Sequence, residues 1–145
     1  MTETRASSKR ILIVDDDAII RNLLALLVRR QGWDPSQASN GEEAVTLLET
    51  ARANDGKVGY DLIVLDLMMP KMSGWDLIRY MRDHMPEMLR HTVVTSAIVD
   101  MELKDLRDIC GSVLGKPFEP EAFYDAVSRC VRGPYDTNAL SPEPC

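Results

Sequence analysis

The sequence is poor in cysteine and histidine, has no excess of basic charge and contains no long apolar run. Its three cysteines (Cys110, Cys130 and Cys145) are odd in number and widely spaced, which excludes a disulfide framework and a zinc-binding pattern. The net charge of −6 argues against binding to a nucleic-acid backbone. No apolar run approaches the ~20 residues of a membrane span, and Met1–Lys9 lacks the apolar core of a signal peptide. We therefore expect a soluble, cytoplasmic protein with Cys110 and Cys130 as buried free thiols.

What remains is the composition of one globular domain. The chain has 145 residues, of which 45% are hydrophobic and 28% are charged, as is ordinary for such a domain. A chain of this length buries roughly 68–70% of its unfolded surface and needs no covalent staples. We expect one domain over residues 9–132, with a flexible N-terminus at 1–8 and a flexible tail at 133–145.

Short apolar runs alternate with segments of helical periodicity along the whole chain. Runs too short for a helix predict buried strands, and two weaker segments complete a set of five. The predicted strands are Ile11–Val14, Trp33–Ala38, Leu62–Leu65, Thr92–Thr95 and Ser112–Leu114. Pro35 cannot donate a ladder hydrogen bond, so the second strand belongs on an edge of the sheet.

A helix is predicted after each strand from apolar residues that recur at i, i+3 and i+4. The first helix has Ile20, Leu23, Leu24, Leu27 and Val28 inward and stops at Gly32, and the others are Glu42–Ala51, Gly74–Met85, Met101–Cys110 and Glu119–Arg132. Five βα units predict an α/β fold with a doubly wound parallel sheet. The flavodoxin-like order 2-1-3-4-5 fits best, because it puts the second strand on an edge and makes strands 1 and 3 neighbours at the switch point where ligands bind.

Polar residues follow the strands at the edge where their carboxyl ends meet. Asp15, Asp16 and Asp17 follow strand 1, Asp66 ends strand 3, Thr95-Ser96 ends strand 4, and Lys116 follows strand 5. Crowded carboxylates need a counter-ion, and oxygen ligands that leave room for water favour Mg²⁺. With an ammonium and a hydroxyl nearby, they form a receptor for a phosphoryl group. Asp17 is also expected to cap the following helix.

These motifs, in this order and spacing, resemble the receiver domains of two-component response regulators. They are Ile11–Asp17, Leu62–Pro70 with Gly74, Val93–Ala97 and Lys116–Phe118, within a similarity that extends from about Lys9 to Arg132. The resemblance implies that Asp66 is the phosphoacceptor. It also implies that Lys116 contacts the phosphoryl group and that a cis peptide joins Lys116 to Pro117.

The resemblance further implies a metal site and a switch residue. Asp16 resembles the direct ligand, Asp15 a ligand acting mainly through water, and the Met68 backbone carbonyl a third ligand beside Asp66. Ser96 resembles the hydroxyl that closes on a phosphoryl oxygen.

Four positions are expected to modulate this chemistry. Val113 replaces the aromatic residue that is usual three positions before the lysine, so the aromatic rotamer switch is absent. Ala97 is small enough to admit a phosphodonor. Met68 and Ile98 are apolar and cannot orient an attacking water, which predicts slow hydrolysis of the acyl phosphate.

We therefore interpret the chain as a stand-alone receiver, and not as an enzyme in its own right. It would take a phosphoryl group from a sensor histidine kinase or a histidine phosphotransfer protein, and act on a downstream protein that the sequence does not identify. No nucleic-acid or membrane partner is expected. The sequence leaves the oligomeric state open, and the face available to a homodimer is the one formed by the helix after strand 4, strand 5 and the last helix.

Three alternatives remain open from the sequence. A haloacid-dehalogenase-type phosphatase would use Asp15 and Asp17, but it leaves Asp66 without a role. A flavodoxin shares only the fold, and the carboxylates would occupy the place of the flavin phosphate. The third alternative is that the chain is a receiver fragment of a longer regulator.

Overall fold

The computed structural model describes residues 9–55, 59–69, 72–97, 106 and 109–131. Within these ranges, five strands form one parallel sheet in the order β2-β1-β3-β4-β5. The strands are β1 (Arg10–Val14), β2 (Asp34–Ala38), β3 (Leu62–Asp66), β4 (Thr92–Ser96) and β5 (Ser112–Gly115). The predicted flavodoxin-like order is confirmed, and β2, with Pro35, is an edge strand.

Helices connect the strands on both faces of the sheet. They are α1 (Ala18–Arg30), α2 (Gly41–Asp55), α3 (Gly74–His84) and α4 (Pro120–Cys130), with a 3₁₀ helix at Pro86–His91. The 3₁₀ helix was not predicted. Most of the predicted helix Met101–Cys110 lies outside the described residues, as do Cys145 and the predicted flexible ends 1–8 and 133–145 (the structure describes residues only as far as 131).

The sheet separates two apolar layers, because alternate residues of each strand point to opposite faces. In β1, Leu12 and Val14 pack on the α2–α3 side, while Ile11 and Ile13 pack on the α1–α4 side. All four side chains are fully buried. Strands β1 and β3 are covered on both faces, which is why they read as continuous apolar runs in the sequence.

Helical spacing predicts that Leu23, Leu47 and Ile109 face inward, but all three are more exposed than expected. Leu23 is 50% exposed, because the buried arc of α1 is rotated towards Ala25, which lies fully buried beside Leu24. Leu47 is only partly buried against its layer, and Ile109 is 43% exposed. Helical periodicity identifies an apolar face, but the neighbouring layer determines how that face is rotated.

The other local features of the fold agree with the sequence. Cys110 and Cys130 are free and buried, and burial raises the pKa of the Cys110 thiol to about 12. Gly32, just beyond α1, has a φ of +84°, a conformation that glycine adopts without steric cost. Among the described residues, none of the helices combines the length and apolar character that crossing a membrane requires.

Candidate functional site

The carboxyl edge of the sheet brings together side chains that are far apart in sequence. Asp15 directly follows β1, Asp66 ends β3, Ser96 ends β4, and Lys116 follows β5. The register aligns these ends: Asp66 pairs with Thr95 in β4, and Ser96 pairs with Gly115 in β5. Because the strands are parallel, every one of these ends opens on the same edge.

Three carboxylates form what we call the acidic cluster: Asp15, Asp16 and Asp66. Each offers an oxygen atom, and these atoms all lie within 4.8 Å of one another. Asp15 and Asp66 are 1% and 4% exposed, whereas Asp16 is exposed to solvent. The cluster is therefore closed on the sheet side and open at Asp16.

Lys116 supplies a positive charge to the buried part of the acidic cluster. Its Nζ lies 3.1 Å from Asp15 Oδ2 and 3.4 Å from Asp66 Oδ1. Its backbone N–H donates to the Ser96 carbonyl oxygen at 2.7 Å, and the Lys116-Pro117 peptide is cis, as the resemblance implied. With all groups ionised, three carboxylates and one ammonium leave a formal charge of −2 at the cluster.

Burial dominates the electrostatics of Asp66. Desolvation and the neighbouring charge of Asp15 raise the pKa of Asp66 to about 6, against the opposing effects of Lys116 and of the Met68 N–H. Burial also lowers the pKa of Lys116, but hydrogen bonds and charge attraction from the two buried carboxylates outweigh it and leave the pKa raised. Lys116 thus stays cationic, and its single positive charge does not neutralise the three carboxylates.

The carboxylate of Asp17 takes no part in this cluster. Its Oδ1 accepts hydrogen bonds from the backbone N–H groups of Ile19 and Ile20, at 2.9 and 3.4 Å. These bonds cap the N-terminus of α1, as predicted. A carboxylate already used as a cap is poorly placed to assist Asp15, which weighs against the phosphatase alternative.

The loop after β3 contacts the phosphoacceptor candidate through its backbone. The Met68 N–H donates to Asp66 Oδ1 at 3.3 Å. A Cβ added at Gly74 would lie 2.6 Å from the Asp66 carbonyl oxygen and 2.6 Å from the Leu67 Cα. The absence of a side chain at Gly74 therefore permits this close approach. The sequence motif included Gly74 but gave no reason for a glycine at that position. The role of the Met68 carbonyl as a ligand stays a prediction.

The positions expected to modulate the chemistry are only partly described. Ala97 is exposed at the rim of the site. Val113 is half-buried and pairs with Val94 in β4. Ile98 lies outside the described residues, so its expected effect on water access stays a prediction.

One residue near the cluster was missed from the sequence. Arg21, in the second turn of α1, donates from Nη1 to the Asp15 carbonyl oxygen at 2.7 Å and from Nε to Gln37 Oε1 at 3.2 Å. The only sequence signal is an arginine four residues after the helix cap, and that position alone does not predict a contact with the preceding strand.

The donor set fits a magnesium ion. Mg²⁺ prefers oxygen ligands and retains several of its waters, and the acidic cluster offers carboxylate oxygens with one side open to solvent. Its excess negative charge would be offset by a divalent cation.

Comparison with known proteins agrees with this geometry. The family model described as the response regulator receiver domain matches residues 11–128. The DNA-binding response regulator MtrA of Mycobacterium tuberculosis is 32% identical over 86% of this chain and 51% of its own length. The alkaline phosphatase synthesis transcriptional regulatory protein SphR of Synechococcus elongatus is 32% identical over 85% of this chain and 48% of its own length. This chain thus spans about half the length of these relatives.

Solved structures show the same fold. The response regulator TrrA of Thermotoga maritima, in complex with Mg²⁺ and BeF, has a TM-score of 0.72 and 26% identity, over 85% of this chain and 99% of that one. The Vibrio cholerae chemotaxis protein CheY4 has a TM-score of 0.68 and 24% identity, over 86% and 99% of the two chains. Since the family model covers most of the sequence, this chain belongs to the receiver domain family of two-component response regulators.

Proposed function

We propose that this receiver accepts a phosphoryl group on Asp66, in an Mg²⁺-dependent transfer from the phosphohistidine of a sensor kinase or of a histidine phosphotransfer protein. The observation that carries the proposal is the acidic cluster with Lys116 bridging Asp15 and Asp66 at 3.1 and 3.4 Å. A phosphoryl group entering there would meet a carboxylate nucleophile beside a fixed cation.

The transfer replaces one bond to phosphorus by another. An Asp66 carboxylate oxygen attacks the phosphorus in line, the P–N bond to the imidazole breaks, and the released imidazole takes a proton from solvent. Lys116 stabilises negative charge on the phosphoryl oxygens, and the Ser96 hydroxyl donates a hydrogen bond to one of them in the product. When bound, Mg²⁺ neutralises further charge on the transferring group.

An apolar stripe on α1 supports a protein as the donor. Ile19, Leu23 and Leu26 are 78%, 50% and 46% exposed, and their i, i+4, i+7 spacing puts them on one face of the helix. This docking stripe starts two residues after Asp17, at the end of α1 nearest the acidic cluster. It fits the apolar face of a helix that carries a phosphohistidine, because docking there would bring the donor to Asp66.

We further propose that this chain passes on its signal by protein contact. MtrA is named a DNA-binding response regulator, but the present chain has a net charge of −6, which opposes association with a phosphate backbone. The face expected to bind a partner or a second copy includes β5 and α4, and the helix before β5 lies mostly outside the described residues.

The decisive experiment follows labelling of the full chain by phosphoramidate, which carries a P–N bond, with Mg²⁺ present. We expect hydroxylamine-sensitive phosphate on the wild type and on Asp34→Asn, an exposed control with the same loss of charge. Asp66→Asn should remain unlabelled while keeping its far-UV circular dichroism. Full labelling of Asp66→Asn would refute the assignment.

The docking stripe is tested separately. Leu23→Glu should leave labelling by phosphoramidate unchanged, since a small donor needs no docking, and should slow transfer from the cognate phosphohistidine protein by tenfold or more. Equal slowing with both donors would show that the substitution damages the site itself.

A further inference from the structure

The guanidinium group of Arg21 connects the ends of two neighbouring strands. Nη1 donates to the Asp15 carbonyl oxygen, just after β1, at 2.7 Å. Nε donates at 3.2 Å to the side chain of Gln37, in the edge strand β2. A charged donor at this distance makes a strong hydrogen bond, and the second contact fixes the orientation of the planar group.

The Asp15 carbonyl has a particular position in the backbone. The Asp15 N–H still bonds to the Ala38 carbonyl of β2 at 3.1 Å, whereas its carbonyl belongs to the peptide that leads to Asp16, beyond the end of β1. Holding this oxygen fixes the plane of the peptide that joins Asp15 to Asp16. Asp16 is exposed, and the orientation of its backbone fixes the position of the Cβ from which its carboxylate reaches the site.

Other contacts hold the carboxylate of Asp15 itself. The Asp17 N–H donates to Asp15 Oδ1 at 2.9 Å, and Lys116 Nζ lies 3.1 Å from Oδ2. Among the contacts of the described residues, the bond from Arg21 is the one to the carbonyl oxygen of the peptide that joins Asp15 to Asp16. Loss of Arg21 should therefore affect Asp16 more than Asp15.

We infer that Arg21 is a positioning residue for the Mg²⁺ site: by fixing the Asp15–Asp16 peptide, it holds the Asp16 carboxylate within reach of the ion that Asp15 and Asp66 also bind. The inference rests on the proposed metal-dependent function, but it assigns a task to a residue outside the acidic cluster. Arg21 contacts neither the ion nor the phosphoryl group.

The positioning role and simple electrostatics predict opposite changes in Mg²⁺ affinity when Arg21 is replaced. A guanidinium near a cation site repels the ion, so removing its charge would tighten Mg²⁺ binding if charge alone mattered. If Arg21 instead holds Asp16 in place, its removal releases a ligand and weakens binding. The direction of the change in affinity therefore separates the two effects.

The experiment measures Mg²⁺ binding to the intact chain by isothermal titration calorimetry. Arg21→Met should raise the dissociation constant at least fivefold, about 1 kcal/mol. Arg21→Lys, which keeps the charge and one donor, should lie between Arg21→Met and the wild type. Arg30→Met removes the same charge from the exposed far end of α1 and should stay within twofold of the wild type.

Labelling by phosphoramidate provides a second readout. The rate for Arg21→Met at limiting Mg²⁺ should fall, and saturating Mg²⁺ should restore it to within twofold of the wild-type rate, because the nucleophile and Lys116 are untouched. A defect that saturating Mg²⁺ leaves in place would indicate general damage to the site and overturn the inference.

Two further outcomes separate this inference from the proposed function. A wild type that binds Mg²⁺ and is labelled, with an unchanged or lower dissociation constant in Arg21→Met, would overturn the role of Arg21 alone. A wild type that neither binds Mg²⁺ nor is labelled would overturn the proposed function, and the inference with it.

Discussion

Replacing the phosphoacceptor candidate by its amide should stabilise the metal-free protein. The Asp66 carboxyl is 4% exposed, and burial together with the charge of Asp15 raises its pKa from 3.8 to about 6. A carboxyl whose pKa is higher in the folded chain binds its proton more tightly there than in the unfolded chain. Ionisation of Asp66 therefore lowers the free energy of unfolding.

The pKa shift sets both the size and the pH range of this effect. At about 1.36 kcal/mol for each pKa unit, a rise from 3.8 to about 6 corresponds to about 3 kcal/mol. Below pH 3.8 the carboxyl is protonated in both states and imposes no penalty. The penalty grows between pH 3.8 and 6 and is complete above pH 6, so Asp66→Asn should gain up to about 3 kcal/mol at pH ~7.5 and almost nothing at pH ~4.

Urea unfolding in EDTA measures this difference at several pH values, with Asp34→Asn as the exposed control for net charge. Added Mg²⁺ should shrink the gain, because an ion that binds the folded wild type more tightly stabilises it more. If Asp66→Asn were no more stable than the wild type at pH ~7.5 in EDTA, the carboxyl would not be the strained group that its burial indicates.

Three further substitutions probe the same edge of the sheet, and Gly32→Ala serves as a control for the first. Gly74→Ala puts a Cβ 2.6 Å from the Asp66 carbonyl oxygen and should cost about 1–3 kcal/mol in urea unfolding and slow labelling. Gly32→Ala is strained only by the φ of +84°, so it should lower the free energy of unfolding by about 1–2 kcal/mol and leave labelling unchanged. If both glycine substitutions slowed labelling, the effect of Gly74→Ala would not be local to the site. Lys116→Met should keep or tighten Mg²⁺ binding in calorimetry, because it removes a positive charge beside the acidic cluster, but it should weaken the change in tryptophan fluorescence that we expect on phosphorylation; loss of Mg²⁺ binding would contradict its role. Met68 lies two residues after Asp66 and is 53% exposed. Met68→Asn should speed the loss of labelled phosphate about tenfold, which lowers the activation free energy by about 1.4 kcal/mol; an unchanged rate would show that Met68 does not control water access.

The sequence predicted the sheet and the meeting of the polar side chains because both follow from local pattern and parallel topology. Strands β1 and β3 contain continuous apolar runs, and β4 is buried along its whole length, since both faces of these strands are covered. Once these strands are parallel, Asp15, Asp66 and Lys116 have to lie at one edge. The functional roles carried over by the resemblance stay predictions, since the geometry brings the residues together without showing what binds.

Contacts that depend on the packing of one element against another could not be predicted. Periodicity placed Leu23 inward, but the rotation of α1 on the sheet exposes it. The partners of Arg21 lie on β1 and β2, and no spacing along α1 indicates which carbonyl it reaches. The 3₁₀ helix before β4 is held partly by the buried Thr92 hydroxyl, which donates to the Met88 carbonyl at 2.8 Å. A threonine at the start of a strand does not by itself predict that hydrogen bond.

The acidic cluster is tolerated because it lies at the margin of the best-packed part of the molecule. Ile11 to Val14 and Leu62 to Leu65 are almost fully buried in the two apolar layers, and at about 25 cal/mol per Å² of buried apolar surface they offset the penalty of nearby ionised carboxylates. The low dielectric that makes Asp66 costly when ionised also strengthens its attraction to Lys116 and to a metal ion. Solvating the cluster would relieve the penalty and weaken those attractions together. A protein that binds a cation and a phosphoryl group at this edge therefore has reason to keep Asp66 buried, at a cost in stability that the bound cation reduces.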